Sequence, residues 1–196
     1  MLKLGLTGSI ATGKSTVLKT FAELGVPVFS ADEVVHELYR AEAVAPIEAA
    51  FPGTTQHGEV DRAALSRVLS EPGRLKQLEA IVHPLVRARV QKFLTDAEAE
   101  GEPLAVVDVP LLFETGFDYG LDKVAVTTVD DATQRQRAME REGMSVEKLG
   151  AILARQLPQA EKLKRADYVF DTSGSLADTR NAVAALVEQL TAQEIR

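Results

Sequence analysis

Apolar residues along this chain fall into two alternating rhythms. Residues 2 to 6, with leucines at 2, 4 and 6, read as a buried strand. Over residues 14 to 24 the spacing changes: Val17, Leu18, Phe21 and Leu24 recur on one helical face, and Gly25 supplies a stop. Strand-like runs return at 26–29, 104–109, 123–129 and 168–170, with helical stretches between them. Strands that alternate with helices predict an α/β fold with a mostly parallel, five-stranded sheet flanked by helices.

Two stretches break the alternation. Between the second and third strands about seventy residues carry no convincing strand pattern. Within them Leu75, Leu78, Val82 and Leu85 repeat at helical spacing, and Pro84 marks a kink or a fresh helix start. This is too long for a simple crossover and reads as a helical insertion over residues 31–98. A second excursion, 131–165, has Gly143 and Pro158 as breakpoints. The expected organisation is therefore a core of 1–30, 99–130 and 166–196 with two helical additions.

Composition narrows the function classes. The chain has 196 residues, 45% of them hydrophobic, which suits one well-filled core with small inserted subdomains. It has no cysteine, so disulfides, thiolate metal sites and a cysteine nucleophile are excluded. The opening apolar run ends by Thr7, far too short for a signal or membrane segment, so a soluble cytoplasmic protein is expected. A net charge of −7 argues against a general nucleic-acid binder. The charge is uneven, however. Residues 135 to 165 hold eight Lys/Arg against four acids, a local +4 that leaves −11 for the rest. Such a segment is either a solvated pair of helices or a place where an anionic ligand is held.

The most specific signal follows the first strand. Gly8, Gly13, Lys14 and Ser15 meet the spacing Gly-x-x-x-x-Gly-Lys-Ser between a predicted strand and a predicted helix. The glycines let backbone bend around an anion with no Cβ in the way. The N–H groups of residues 9 to 14 are expected to point at phosphate oxygens, aided by the helix N-terminus. Gly8, Ala11, Thr12, Gly13, Lys14, Ser15 and Thr16 are thus the candidate ATP-binding residues, with Lys14 on the β- and γ-phosphates and the Ser15 hydroxyl in a Mg²⁺ shell. Among P-loop proteins, GTPases read guanine with an Asn-Lys-x-Asp segment; the single asparagine, Asn181, stands in no such segment. Motor ATPases are generally larger. A P-loop kinase core serving a small acceptor fits best, with one insertion for the acceptor and one as a lid.

The order of further motifs resembles the dephospho-CoA kinase family from residue 4 to about 173. After the phosphate loop come Ser30-Ala31-Asp32, Ile81-Val82-His83-Pro84 and Val109-Pro110-Leu111-Leu112-Phe113-Glu114. Arg137 with Arg141, Gln156, Lys162 and Ala166-Asp167 follow. The resemblance implies ATP-dependent phosphorylation of the ribose 3′-hydroxyl of dephospho-CoA, giving CoA and ADP, with no obligate protein partner. It also makes 31–98 the acceptor-binding insertion and 131–165 the lid. Another small-acceptor P-loop kinase, or a nucleotide-binding switch without catalysis, remains the rival. Two departures stand out: the family usually has Asp where Ser30 stands, and tends to Asn at the position of Thr172, which lies near the adenine in related kinases.

Several roles follow, each beside a plainer reading. Asp32 is the candidate general base, a carboxylate to accept the hydroxyl proton; equally, Ser30 to Glu33 fits a capping box that makes Asp32 an ordinary first-turn acid. Arg137 and Arg141, four apart, share a helix face and could clamp phosphate oxygens, or pair with Glu140 and Glu142. Lys162 is a weaker lid candidate. His83 either caps a helix started by Pro84 or, as the resemblance implies, lies on the acceptor side. Leu111, Leu112 and Glu114 are placed by the resemblance at the acceptor site, though the leucines could be core. Asp108, ending an apolar strand, is either a Mg²⁺-shell acid or not required.

Overall fold

The structure, a computed structural model, describes residues 1–194; the last two residues of the expected core segment 166–196 lie outside the described residues. In chain order the elements are β1 (Leu2–Gly8), α1 (Lys14–Glu23), β2 (Val28–Ser30), α2 (Ala31–Leu38), α3 (Val44–Ala50), β3 (Thr55–Gln56), β4 (Glu59–Val60), α4 (Arg62–Val68) and α5 (Arg74–Ala99). They continue with β5 (Leu104–Asp108), α6 (Leu112–Thr115), β6 (Lys123–Thr128), α7 (Asp131–Met139), α8 (Val146–Arg155), α9 (Gln159–Leu163), β7 (Tyr168–Asp171) and α10 (Leu176–Glu194). The chain divides into two compact units, Met1–Phe29 with Leu94–Arg196, and Ser30–Phe93.

The first unit is built on a five-stranded parallel sheet in the order β2-β5-β1-β6-β7. Every residue of β5 and the last five of β1 are buried, because helices cover both faces. Leu4, Leu6, Val17, Phe21, Leu104, Val106, Phe170, Val183 and Leu190 form the main core, with the Phe21 and Phe170 rings edge to face at 6.1 Å. The chain leaves β1 toward β2 and β5 on one side, and β6 and β7 lie on the other. The carboxyl end of β1 is therefore the point at which the strand order reverses, where open α/β sheets bind ligands. Gly8 stands there.

The second unit holds α2, α3, α4, most of α5 and a small hairpin. Leu38, Ile47, Phe51, Leu65, Val82 and Val90 are among its buried side chains. The hairpin, β3 with β4, corrects the expectation that 31–98 is purely helical. Each strand is only two residues long, too short for an alternating pattern to register. The available signal was His57-Gly58, whose left-handed φ values of 53° and 80° make the two-residue hairpin turn. Of the two readings of Pro84, a kink or a fresh helix start, the second is corrected, since α5 runs through it. Proline removes the bond to the carbonyl of Ala80, four residues back. Both residues are exposed, so solvent can take up that carbonyl. Among the described residues no helix is long and apolar enough to cross a membrane.

Candidate active site

The loop from Gly8 to Lys14 is shaped by what surrounds it. A Cβ on Gly8 would stand 2.1 Å from Thr127 Oγ1 and 2.7 Å from Thr12 Oγ1, so nothing larger than glycine fits. Thr12, 1% exposed, braces the turn from inside: its hydroxyl donates to Ser9 O at 2.8 Å and shares a hydrogen bond with Thr127 Oγ1 at 2.7 Å. Its N–H also turns inward, to Ser9 O at 3.3 Å. Thr12, expected among the nucleotide contacts, thus serves as internal scaffolding. Gly13 precedes α1 with φ 82° and offers no side chain to cap the helix. The leading N–H groups of Lys14 and Ser15 are left for an anion. The Ser15 hydroxyl is exposed on the same turn.

Lys14 and Asp108 form a tight pair. Nζ lies 2.5 Å from Oδ1 and 2.6 Å from Oδ2. The two side chains are 15% and 5% exposed. The parallel register sets Leu6 beside Asp108, which carries the carboxylate to the loop. Both oxygens of Asp108 are engaged by Lys14, which answers what an acid at the end of β5 does here: it holds the loop lysine in place.

Thr172, one residue past β7, is a junction. Its buried hydroxyl donates to Thr12 O at 2.9 Å and accepts from Arg137 at 3.1 Å, while its carbonyl accepts a second Arg137 bond at 2.8 Å. A Cβ on Gly13 would meet that hydroxyl at 2.7 Å. Hydrogen bonds from the Ser173 hydroxyl and N–H hold the Asp171 carboxyl below the usual carboxylate range and fix the turn that carries Thr172. Arg137 is thereby aimed at the loop. Arg141 is not its neighbour on a helix face: α7 ends at Met139, Glu140 caps it, and Arg141 stands in the following turn with an exposed side chain.

Glu114 and Lys162 were expected in different places, at the acceptor and in the lid. The structure brings them together. Lys162 is wholly buried, with Nζ 2.9 Å from Glu114 Oε1. The pair is ionic, and neither Lys162 Nζ nor Glu114 Oε2 has a hydrogen-bond partner among the described residues. Glu114 Oε1 also accepts the N–H of Leu157 at 2.8 Å. A buried ammonium is costly without a counter-charge, and Glu114 provides it. Leu112 is buried beside Gly5, so this leucine belongs to the interior; Leu111 is half-buried.

In the second unit, Asp32 lies in the first turn of α2 and is exposed. Ser30 caps the helix, accepting Glu33 N–H at 3.4 Å. The carboxylate of Asp32 takes no part in that cap. His83 is half-buried within α5.

Sequence reasoning passed over Gln134 and quoted Gln156 only as part of the family pattern, with no role. Gln134 donates to Ile10 O at 2.8 Å and Gln156 accepts the Ile10 N–H at 3.0 Å. One of the loop N–H groups expected to face phosphate is therefore taken by protein. The partners stand 124 and 146 residues from Ile10, and amide side chains carry no charge or periodicity to betray them.

This arrangement, a glycine loop at the sheet's reversal point with a fixed lysine and an aimed arginine, is one for binding and transferring phosphoryl groups. Comparison with known proteins agrees. The family model described as dephospho-CoA kinase matches residues 2–178. A dephospho-CoA kinase of Rhodopseudomonas palustris is 58% identical over 189 residues, covering 96% of this chain and 95% of that protein. A crystal structure from Thermus thermophilus superposes with a TM-score of 0.81 at 36% identity, covering 96% of this chain and 97% of the other. A dephospho-CoA kinase from Campylobacter jejuni gives a TM-score of 0.68 at 28% identity, covering 96% of each. With its loop, its lysine and nearly its whole length matched, the chain belongs to the dephospho-CoA kinase family.

Proposed function

We propose that this chain transfers the γ-phosphoryl group of ATP to the ribose 3′-hydroxyl of dephospho-CoA, giving CoA and ADP, the last step of CoA synthesis. The observation that carries the reading is the phosphate loop with Lys14 held by Asp108, in a chain of that family. In the reaction a bond forms between the 3′-oxygen and Pγ, and the bond from Pγ to the β,γ-bridging oxygen breaks. The hydroxyl proton goes to Asp32, whose exposed carboxylate is not taken up by the helix cap. Lys14 offsets charge that gathers on the β- and γ-phosphate oxygens, and the N–H groups at the start of α1 bind them. Arg137, aimed by Thr172, and Arg141 add positive charge on the transferring group.

The Ser15 hydroxyl, exposed beside those N–H groups, is the hard oxygen donor that Mg²⁺ takes together with phosphate oxygens. Bound there, Mg²⁺ neutralises phosphate charge. Asp108 is less suited to it, with both oxygens on Lys14. His83, Leu111 and Glu114 are proposed to lie on the acceptor side, the 131–165 segment to close over ATP and exclude water, and the protein to work in the cytoplasm without nucleic acid.

The test is an acceptor panel with ATP and Mg²⁺: dephospho-CoA, nucleoside monophosphates and simple metabolite alcohols, read by ADP release. Turnover is expected with dephospho-CoA alone. Turnover of another acceptor without dephospho-CoA overturns the reading. ATP binding without transfer to any acceptor favours a regulatory module.

A further inference from the structure

The tip of the phosphate loop, Ile10 and Ala11, is held by the 131–165 segment in two ways. Ala11 packs with Ala138 of α7 and Leu149 of α8, and Ile10, Met144 and Leu153 join them. Both polar groups of the Ile10 backbone are then taken by side-chain amides, the C=O by Gln134 at 2.8 Å and the N–H by Gln156 at 3.0 Å.

The polarity of this bracket is fixed from outside. Gln159 Oε1 accepts the Val129 N–H at 3.4 Å and the Thr128 hydroxyl at 2.7 Å. A backbone N–H only donates, so the Gln159 amide is oriented with Nε2 toward Gln134 Oε1, 3.2 Å away. That in turn leaves Gln134 Nε2 for the Ile10 carbonyl. Gln156 faces an N–H and presents oxygen. Neither loop-facing amide can flip without setting like against like. Gln156 is steadied by its neighbour, since Leu157 N–H donates to Glu114 at 2.8 Å.

What the bracket controls is one peptide plane. The Ile10–Ala11 peptide is trans, as are all peptides among the described residues, so its C=O and N–H point opposite ways. Pinning the Ile10 carbonyl on Gln134 aims the Ala11 N–H away from Gln134. Among the described residues that N–H has no partner. Ala11 also carries φ 62°, a left-handed conformation that a non-glycine residue holds only when its surroundings impose it.

We propose that Gln134 and Gln156 are positioning residues: by fixing both polar groups of Ile10 from opposite sides, they hold Ala11 in its left-handed conformation and present its N–H to a nucleotide phosphate. This rests on the reading of the loop as an ATP site and on no particular acceptor.

Two variants of the full chain separate this from a general effect. Q134E and Q156E add the same charge beside the same residue. Gln156→Glu keeps an acceptor for the Ile10 N–H. Gln134→Glu loses its donor and sets a carboxylate against the Ile10 carbonyl. ATP binding is measured by calorimetric titration, so an error about the acceptor leaves the result readable. Q134E is expected to weaken ATP binding about tenfold more than Q156E, with KM for the acceptor within about twofold of the parent in both. Equal losses, or none, would overturn the proposal. Should Q134E fail to fold, Q134L removes the donor without adding charge, and unchanged ATP affinity in it would overturn the proposal as well.

Discussion

The phosphate loop and the first turn of α2 both carry a residue assigned to phosphoryl transfer, yet they are built in opposite ways. Around the loop the side chains and the tip are held by protein groups: Lys14 by Asp108, Thr12 by Ser9 and Thr127, Ile10 by two glutamines, and the space beside Gly13 by Thr172. Asp32 is an exposed carboxylate beside a helix cap that does not use it. A site that must fit phosphate oxygens to within a fraction of an ångström is made rigid by its own hydrogen bonds. A base that meets a mobile proton needs only the right ionisation and reach. The difference teaches that residues proposed for one reaction can answer to different constraints, fixed geometry in the loop and available charge at Asp32.

Substitutions can break or sharpen this contrast. The largest effect is expected from Asp32→Asn, with kcat lower by about 10² to 10⁴, and with ATP affinity and thermal midpoint unchanged. An unchanged kcat would remove Asp32 from the mechanism. Lys14→Ala should reduce kcat by about 10² to 10³ and, unlike the Asp32 change, also lower stability, by about 3 kcal/mol, because it removes the ammonium that engages both oxygens of Asp108, itself 3% exposed. Urea unfolding reads the second part, and equal stability would show that the pair is not structural. Gly8→Ala should destabilise by about 2 kcal/mol through the clash at 2.1 Å with Thr127 Oγ1, again measured by urea unfolding.

The smallest effect lies outside both regions, at Asp167. Its hydrogen bond and charge pair with Lys123 hold its carboxyl below the usual carboxylate range, and it also accepts the Val124 N–H. A depressed carboxyl stabilises the fold above its unfolded-state pKa of about 4 and loses that contribution as pH falls through the folded value. Asp167→Asn should lower the thermal midpoint by a few degrees at pH 7. The gap between variant and parent should begin to narrow as the pH falls below about 4 and close once it passes below the depressed folded value, and a gap unchanged across that descent would assign the effect to something other than ionisation.

The sheet, the loop and the long helical stretches were legible because each rests on a local pattern. The unbroken apolar run of β5 and the glycine spacing ahead of α1 need no knowledge of distant residues. The hairpin at 55–60 escaped because two-residue strands hold too little pattern. That α5 runs through Pro84 escaped because the sequence does not show that the freed Ala80 carbonyl faces solvent, which can satisfy it. At the site, Lys14 and Ser15 could be read from their motif, whereas the partners of Ile10, Thr12 and Glu114 could not. Most of those depend on which side chains the fold brings together from distant positions, 43 residues apart for Glu114 and Leu157 and 146 for Ile10 and Gln156, and neither amides nor hydroxyls announce that in a sequence. The two arginines read as a face-sharing pair failed for a local reason: α7 stops at Met139, before the second of them.

Thr172 has a consequence for how this chain can change over time. One hydroxyl bonds Thr12 and Arg137 and fills the gap beside Gly13. An asparagine there, which the family tends to carry, would bring a longer side chain into a space already closed. Residues 12, 13, 137 and 172 therefore form one packed unit: a longer side chain at 172 would need its neighbours to shift with it, and one oxygen atom links all four.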